Sequence, residues 1–413
     1  MSTSGSTSVL WKIAPSALLP ALVYEIGNGA VAPIIPLAAL ASGASTTTAA
    51  LMAAMTGIGR ILGDVPAAKL ADRVGDRRAM SIAAAVTALC WLACLVTTSL
   101  VALGIALLVV GACNSTFYLA RQNYVAEVVA ITMRARALST LAGAHRIGLF
   151  AGPFLGAGAI TLGGLRAAFA IGVLATLATG LCLLFIRDLD LSGDRPHHVR
   201  GARGARAIFR DHRSLFLSLG LMVATVGAVR ATRQIVLPLW ADEIGLSATV
   251  TSLVFGIANM VDMSLFYPAG HVMDRWGRLA VAVPAMSLLG LGLIALPFTQ
   301  EVIGFTLVAA AMSFGNGIGS GIMMTLGADA APHDNRTTFL SVWRLLSDTG
   351  QALGPVIPAA CAAAATLSVG IGLVGSLGIV AAVGLARWVP RYSTYATPSA
   401  ARRQREAAGR GEG

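Results

Sequence analysis

AKLADRVGDRR, residues Ala68 to Arg78, decides the fold, because its core returns as GHVMDRWGR at Gly270 to Arg278. Asp72 and Asp274, Arg73 and Arg275, and Gly75 and Gly277 are each 202 positions apart. The same offset, with no gap, pairs Pro36 with Pro238, Gly43 with Gly245, Ser45 with Ser247, Pro66 with Pro268, Asn114 with Asn316, Arg134 with Arg336, Ser139 with Ser341, Gly148 with Gly350, Gly152 with Gly354 and Pro153 with Pro355, and sets Glu127 against Asp329. Alanine and leucine match by chance in so apolar a chain; proline, asparagine and arginine do not. One unit is written twice, and such a repeat constrains the fold before any other argument.

The chain is 56% hydrophobic and 12% charged, with a mean hydropathy of +0.76, which excludes a set of soluble domains. Crossing a hydrocarbon core takes about 20 helical residues. Twelve apolar runs meet that length and predict helices α1 to α12 at Ser16 to Leu40, Thr48 to Lys69, Met80 to Thr98, Val101 to Ala120, Leu138 to Leu162, Ala167 to Ile186, Leu215 to Ala241, Thr249 to Val272, Ala280 to Phe298, Val302 to Leu326, Thr338 to Ala364 and Leu367 to Val389. The expected fold is therefore an all-α integral membrane protein. Its parts are an N-terminal stretch, 1–15, a six-helix bundle, 16–186, a basic linker, 187–214, a second six-helix bundle, 215–389, and a disordered tail, 390–413.

A net charge of +11 would raise nucleic-acid binding in a soluble protein, but the positions of the charges argue against it. With Met1 in the cytoplasm, 24 of the 30 Lys and Arg residues, Arg121 among them, fall in inside segments, and only Arg166 falls outside. That bias predicts a multi-pass cell-membrane protein with both termini cytoplasmic. All five cysteines lie in the apolar runs, which fits neither an extracellular disulfide framework nor a zinc ribbon. His197 and His198 in the linker have no cysteine nearby, so no metal is expected. Neither phosphate-binding loops, nucleophile elbows nor metalloprotease motifs occur, and neither enzymatic chemistry nor a cofactor is expected.

Charges within the runs lie on α1, α2, α5, α7, α8 and α11: Glu25, Arg60, Asp64, Arg146, Arg230, Arg233, Asp262, Arg344 and Asp348. The interiors of α3, α6, α9 and α12 carry none. Ionisable groups avoid lipid, so the apolar helices are expected outside a polar path. Glu25, near the membrane midplane, is the first candidate for a proton-coupling carboxylate; the alternative is a permanent ion pair with Arg146 or Arg60. Asp262, with no basic residue one turn away, is the second. Asp348 is a third, although Arg344 one turn before it, like Arg60 before Asp64, is placed to hold a structural pair. Arg230 and Arg233 are to be neutralised by carboxylates of α1, α8 or α11, or by an anionic substrate. With Tyr24, Asn28 and Arg146 they form the expected substrate-binding set.

In α5, Gly148, Gly152 and Gly156 recur at spacing four around Pro153. Small residues let another backbone approach, and the proline permits a bend. A deformable seam between the halves is expected here.

Twelve runs in two like halves, with D-R-x-G after α2 and again after α8, resemble the major facilitator superfamily. The resemblance implies two bundles moving about a central site. It also implies that the loop motif, usually G-x-L-A-D-R-x-G-R-[RK], latches the inner side. In the second copy Gly270, Asp274, Arg275, Gly277 and Arg278 match, with Asp329 as the acid meeting the last arginine. In the first, Asp72, Arg73 and Gly75 match and Glu127 is the corresponding acid, but Ala68 and Asp76 replace the first glycine and an arginine. The end of α5 resembles the G-x-x-x-G-P-x-x-G-G signature of the drug:proton antiporter branch, with Ala157 in place of the last glycine. The expectation is proton-coupled efflux of a small amphipathic organic compound by a monomer in a lipid bilayer. Uptake of an organic anion is the rival within transport, and a non-transporting membrane sensor is the alternative outside it.

Overall fold

The computed structural model describes residues 17–129, 131–185, 205–332, 335–400 and 402–403, and leaves the side chains of 126–127, 131–136, 185, 205 and 337 undescribed. The N-terminal stretch 1–15, most of the linker with His197 and His198, and the side chain of Glu127 thus lie outside the described residues.

Every regular element among the described residues is a helix. Twelve long ones are α1 Leu19–Ala41, α2 Thr46–Val74, α3 Asp76–Val96, α4 Leu100–Val128, α5 Ile131–Gly163, α6 Ala167–Phe185, α7 Arg213–Glu243, α8 Ala248–Trp276, α9 Leu279–Phe298, α10 Val302–Ala330, α11 336–364 and α12 Leu367–Tyr392, and a short helix, Ala205–Asp211, precedes α7. Ten are long and apolar enough to cross a membrane. The threonines, glycines and charges of α2 and α11 dilute their apolar content below that level. Three helices break where sequence demands it: α1 between Val31 and Ile34 at Pro33, α10 between Ile318 and Ile322 at Gly319, Ser320 and Gly321, and α11 between Leu353 and Val356 at Gly354 and Pro355. Ser45, Ser99 and Thr366 cap α2, α4 and α12, each accepting a backbone N–H three residues on.

The chain divides into two units, 1–195 with 241–259, and 196–240 with 260–413. In the first, α1 packs on α5 and α6, α2 on α4, and α3 on α4 and α6. The start of α8 belongs with it: Asn259 donates to the Leu149 carbonyl at 2.9 Å, and the Phe154 ring lies against Gly256. In the second, α9 packs on α10 and α12. Helices α6 and α12 leave apolar stripes exposed at Leu174, Leu177, Leu181 and Leu184, and at Val369, Leu373, Val380 and Val383. This three-and-four spacing is one helical face, as lipid contact requires.

The repeat extends to packing. A Cβ on Gly148 would meet Glu25 and the Leu22 carbonyl at 2.6 Å, and one on Gly152 would meet the Ile26 carbonyl at 2.5 Å. Gly350 and Gly354 stand in the same way against the carbonyls of Ala224 and Ala228 on α7, which are Leu22 and Ile26 advanced by the repeat offset. This corrects the expected seam: the glycine face of α5 closes on α1 inside its own half. Helix α5 also runs unbroken through Pro153.

The turns carrying D-R-x-G place Gly75 and Gly277 at φ +84° and +87°, a region that glycine enters without steric cost. The two turns are anchored differently. Arg77 donates to the carbonyls of Leu183 and Leu184 at the end of α6, at 2.7 and 2.9 Å. Arg278 instead pairs with Asp329 at 3.0 Å, and Ser393 donates to the same carboxylate at 2.6 Å. The segment after α12, expected to be disordered, is packed here. The carbonyls of Tyr395 and Ala396 accept the first amides of α9, those of Arg278 and Leu279, at 3.0 Å, and the Tyr395 ring covers the Arg278 guanidinium. The reason is that a helix start leaves its first N–H groups without partners, and this segment supplies the acceptors.

Candidate functional site

In the first unit the polar centre forms where α1, α4 and α5 meet. Gly148 lets α5 approach α1 at Glu25, and His145, one turn earlier on α5, thereby reaches the carboxylate. Glu25 is completely buried. His145 Nδ1 lies 2.8 Å from Glu25 Oε1, an ion-pair distance without hydrogen-bond alignment, and Arg121 Nη1 is 3.9 Å away. On Oε2, Tyr118 donates at 3.3 Å and Asn28 at 3.4 Å. The guanidinium groups of Arg121 and Arg60 lie 5.1 and 5.5 Å from the Tyr118 ring centre. Two basic side chains and two neutral donors around one buried carboxylate make a site whose charge state depends on protons. Dry surroundings magnify that dependence.

These contacts replace several expectations. Glu25 pairs with His145 and Arg121, not with Arg146 or Arg60. Arg121, counted with the inside loops because the apolar run ends at Ala120, sits within α4 and is only 6% exposed. Asp64 accepts a hydrogen bond from the Ser115 hydroxyl rather than pairing with Arg60. Tyr24 is no pocket wall: it is fully buried, stacks on Phe117 at 3.9 Å and donates to Asn114 at 2.7 Å.

The second unit has its own polar centre. Arg230 donates to the Asn316 carbonyl at 2.9 Å. That carbonyl belongs to the last turn before the break in α10, where helix carbonyls lack partners and a cation is favoured. Gly319 in the break leaves room for the guanidinium. Arg233, 2% exposed, donates to Ser313 at 2.6 Å, and Asn316 Nδ2 donates to Asp262 at 2.9 Å. Asp262 also acts on Arg233 through its charge. Asp348 pairs with Arg344 at 3.5 Å and accepts from Gln351 at 3.2 Å, and Arg146 is half-buried on α5.

The repeat offset carries Asn28 onto Arg230, Arg60 onto Asp262 and Asn114 onto Asn316. In one half Asn28 donates to Asn114 at 3.4 Å, and in the other Arg230 reaches Asn316. The same crossing of first and fourth helices is polar in both halves, neutral in the first and cationic in the second, while on the second helix of each half the cation Arg60 corresponds to the anion Asp262. Sequence reading did not single out Arg121 or Ser313 as site residues, and did not connect Tyr118 or His145 with Glu25. The available signals were the Asn114 and Asn316 match and the placement of His145 one turn before the glycine row.

At the two D-R-x-G turns, Asp72, Arg73 and Arg275 are exposed, and the Asp274 side chain, 74% exposed, makes an in-turn contact with Arg278 at 3.4 Å.

Two six-helix repeats, each carrying ionisable groups buried at its centre, define a multi-pass membrane protein of the secondary transporter class. The Major Facilitator Superfamily profile matches residues 18–355 and 219–410. The chain belongs to that superfamily. No curated protein matches it in sequence. Among solved structures it is similar in fold to a POT family transporter in complex with 5-aminolevulinic acid, at 12% identity and TM-score 0.75, covering 92% of this chain and 96% of that one. It is similar also to a mutant of the peptide transporter POT in complex with sulfate, at 12% identity and TM-score 0.73, covering 92% and 95%. A D-xylose-proton symporter aligns at 14% identity and TM-score 0.67, covering 92% and 98%.

Proposed function

We propose that the protein couples proton movement to the transport of a small organic solute by alternating access, with Glu25 as the proton-coupling carboxylate. The observation that carries this reading is the fully buried Glu25 carboxylate with His145 Nδ1 at 2.8 Å. A proton added to or removed from this pair changes the charge of a dry site, and such a change biases one arrangement of packed helices over another. Asp262, facing Arg233 and Asn316, is the second titratable group on the path, with Arg230 and Arg233 as solute contacts. Asp348, already paired with Arg344, is the weaker third.

Export by antiport rested on Gly148, Gly152, Pro153 and Gly156, and the packing of the glycines on α1 accounts for the glycine spacing without reference to direction. The reading best supported is therefore symport, in line with the proton symporter among the similar folds. Efflux of an amphipathic compound remains the second reading, carried by the α5 signature. The setting is a cell membrane with both termini on the cytoplasmic side, and the protein works as a monomer.

The test is a solute screen in proteoliposomes under an imposed pH gradient, comparing wild type with Glu25→Gln and Arg230→Ala. Wild-type flux driven by the gradient and abolished in Glu25→Gln is expected. Unchanged gradient-driven flux in that variant would remove Glu25 from the mechanism, and the sign of the gradient that drives accumulation separates symport from export.

A further inference from the structure

Four buried polar atoms without hydrogen-bond partners sit together at Glu25: Glu25 Oε1, His145 Nδ1, and Arg121 Nε and Nη1. The Tyr124 hydroxyl, three residues after Arg121 on α4, is another such atom. The first two lie 2.8 Å apart, a contact that becomes an ion pair when His145 carries a proton. What remains is a set of donors: two guanidinium N–H groups and, one turn further along α4, a phenol. Among the described residues Arg121 meets the Glu25 carboxylate at 3.9 Å and the faces of Phe117 and Tyr118, 6.0 and 5.1 Å from the ring centres. Native interiors satisfy such groups, so clustered orphan donors mark the place of an absent acceptor.

Charge supplies the second part of the argument. The groups facing Glu25 are Asn28 on α1, Tyr118 and Arg121 on α4, and His145 on α5. Helix α6 brings Gly172 and Ala175 against Gly27, and Arg60 of α2 reaches the Tyr118 ring. With His145 neutral, Glu25 and Arg121 cancel. One added proton leaves the centre with an uncompensated positive charge, whether it settles on the carboxylate or on the imidazole. A buried excess charge is costly, and a carboxylate accepting from Arg121 and Tyr124 removes it.

We infer that Arg121 and Tyr124 anchor a carboxylate on the transported solute, and that this anion binds together with the proton taken up by Glu25 and His145. Two ligands that favour each other's binding travel in the same direction, so the pair is co-transported. The inference rests on the proton-coupling role of Glu25 and adds to it the solute class, a small organic acid.

The test uses the full-length purified protein in weakly buffered solution with acetate, benzoate and citrate as probes and benzamide as the uncharged control. Calorimetry measures binding and an indicator dye measures protons. At least one carboxylate binds wild type with uptake of about one proton, and benzamide does not bind. Arg121→Gln weakens that binding at least about tenfold, and Tyr124→Phe, which removes only a hydroxyl, weakens it about threefold. Glu25→Gln binds the carboxylate without the wild-type proton uptake. Binding to Arg121→Gln as tight as to wild type, binding to wild type without proton uptake, or no binding of any of the three acids overturns the inference. Should Arg121→Gln fail to fold, Tyr124→Phe decides, and unchanged binding there overturns the inference as well. Failure of all gradient-driven flux in wild type would instead remove the proton-coupling reading itself.

Discussion

Gly148 of α5 lies directly on Glu25 of α1, so close that a methyl group at 148 would come within 2.6 Å of the Glu25 Cβ. The glycine sets how near α5 comes to α1, and that spacing in turn sets the His145 to Glu25 distance. Gly148→Ala must push the helices apart. Overpacking of this kind costs about 1 to 3 kcal/mol, which thermal unfolding of the purified protein will read as a lowered midpoint. Gly350→Ala, facing the Ala224 carbonyl, carries the same expectation in the second half. A midpoint equal to wild type in both would contradict the close packing.

His145→Gln keeps a polar side chain but removes the titrating partner of Glu25. Gradient-driven flux should fall at least about tenfold, the effect of one lost interaction with a charged group. Tyr118→Phe, which loses one hydrogen bond at 3.3 Å, should fall less. Measuring both variants across pH separates the roles. The pH at half-maximal flux is expected to move in His145→Gln and to stay near wild type in Tyr118→Phe.

Arg278 and Asp329 form a pair with both side chains nine-tenths buried. Removing one partner of a buried pair strands the other, at about 3 to 5 kcal/mol. Arg278→Ala should therefore lower the unfolding midpoint far more than Ser393→Ala, which deletes one hydrogen bond worth about 1 kcal/mol. Equal effects would show that the ion pair is not what holds the turn.

The opposite outcome is expected at Arg344, whose side chain is 62% exposed. Its pair with Asp348, at 3.5 Å, lies open on the Arg344 side, unlike the enclosed pair of Arg278 and Asp329. Arg344→Gln should leave the unfolding midpoint and gradient-driven flux close to wild type.

Much of the architecture was readable in the chain because the repeat matches proline, glycine and asparagine, residues whose positions are dictated by backbone geometry. Breaks at Pro33 and Pro355 and the positive φ angles of Gly75 and Gly277 follow from the same residue types. The polar centre was only half readable. Glu25 stands out in an apolar run, but its partners come from other helices, and periodicity gives a residue's face without naming the neighbour that face meets. Arg121 was misplaced because hydropathy ends a helix at the first charge, whereas a charge matched by Glu25 lets α4 continue to Val128. The row Gly148, Gly152 and Gly156 signalled a close approach correctly and could not say to which helix. The stretch after Pro390 has the composition of a loose tail, and no local feature reveals that α9 needs acceptors for its opening amides.

Because residues 395–397 lie against Gly277, Arg278 and Leu279, that segment is part of the α8–α9 corner. A bulky label introduced at 395–397 will displace those acceptors, so reporters of native turnover belong away from this segment. Stopping the chain at Tyr392 strips two amides of their acceptors at once and leaves Asp329 without the Ser393 hydroxyl.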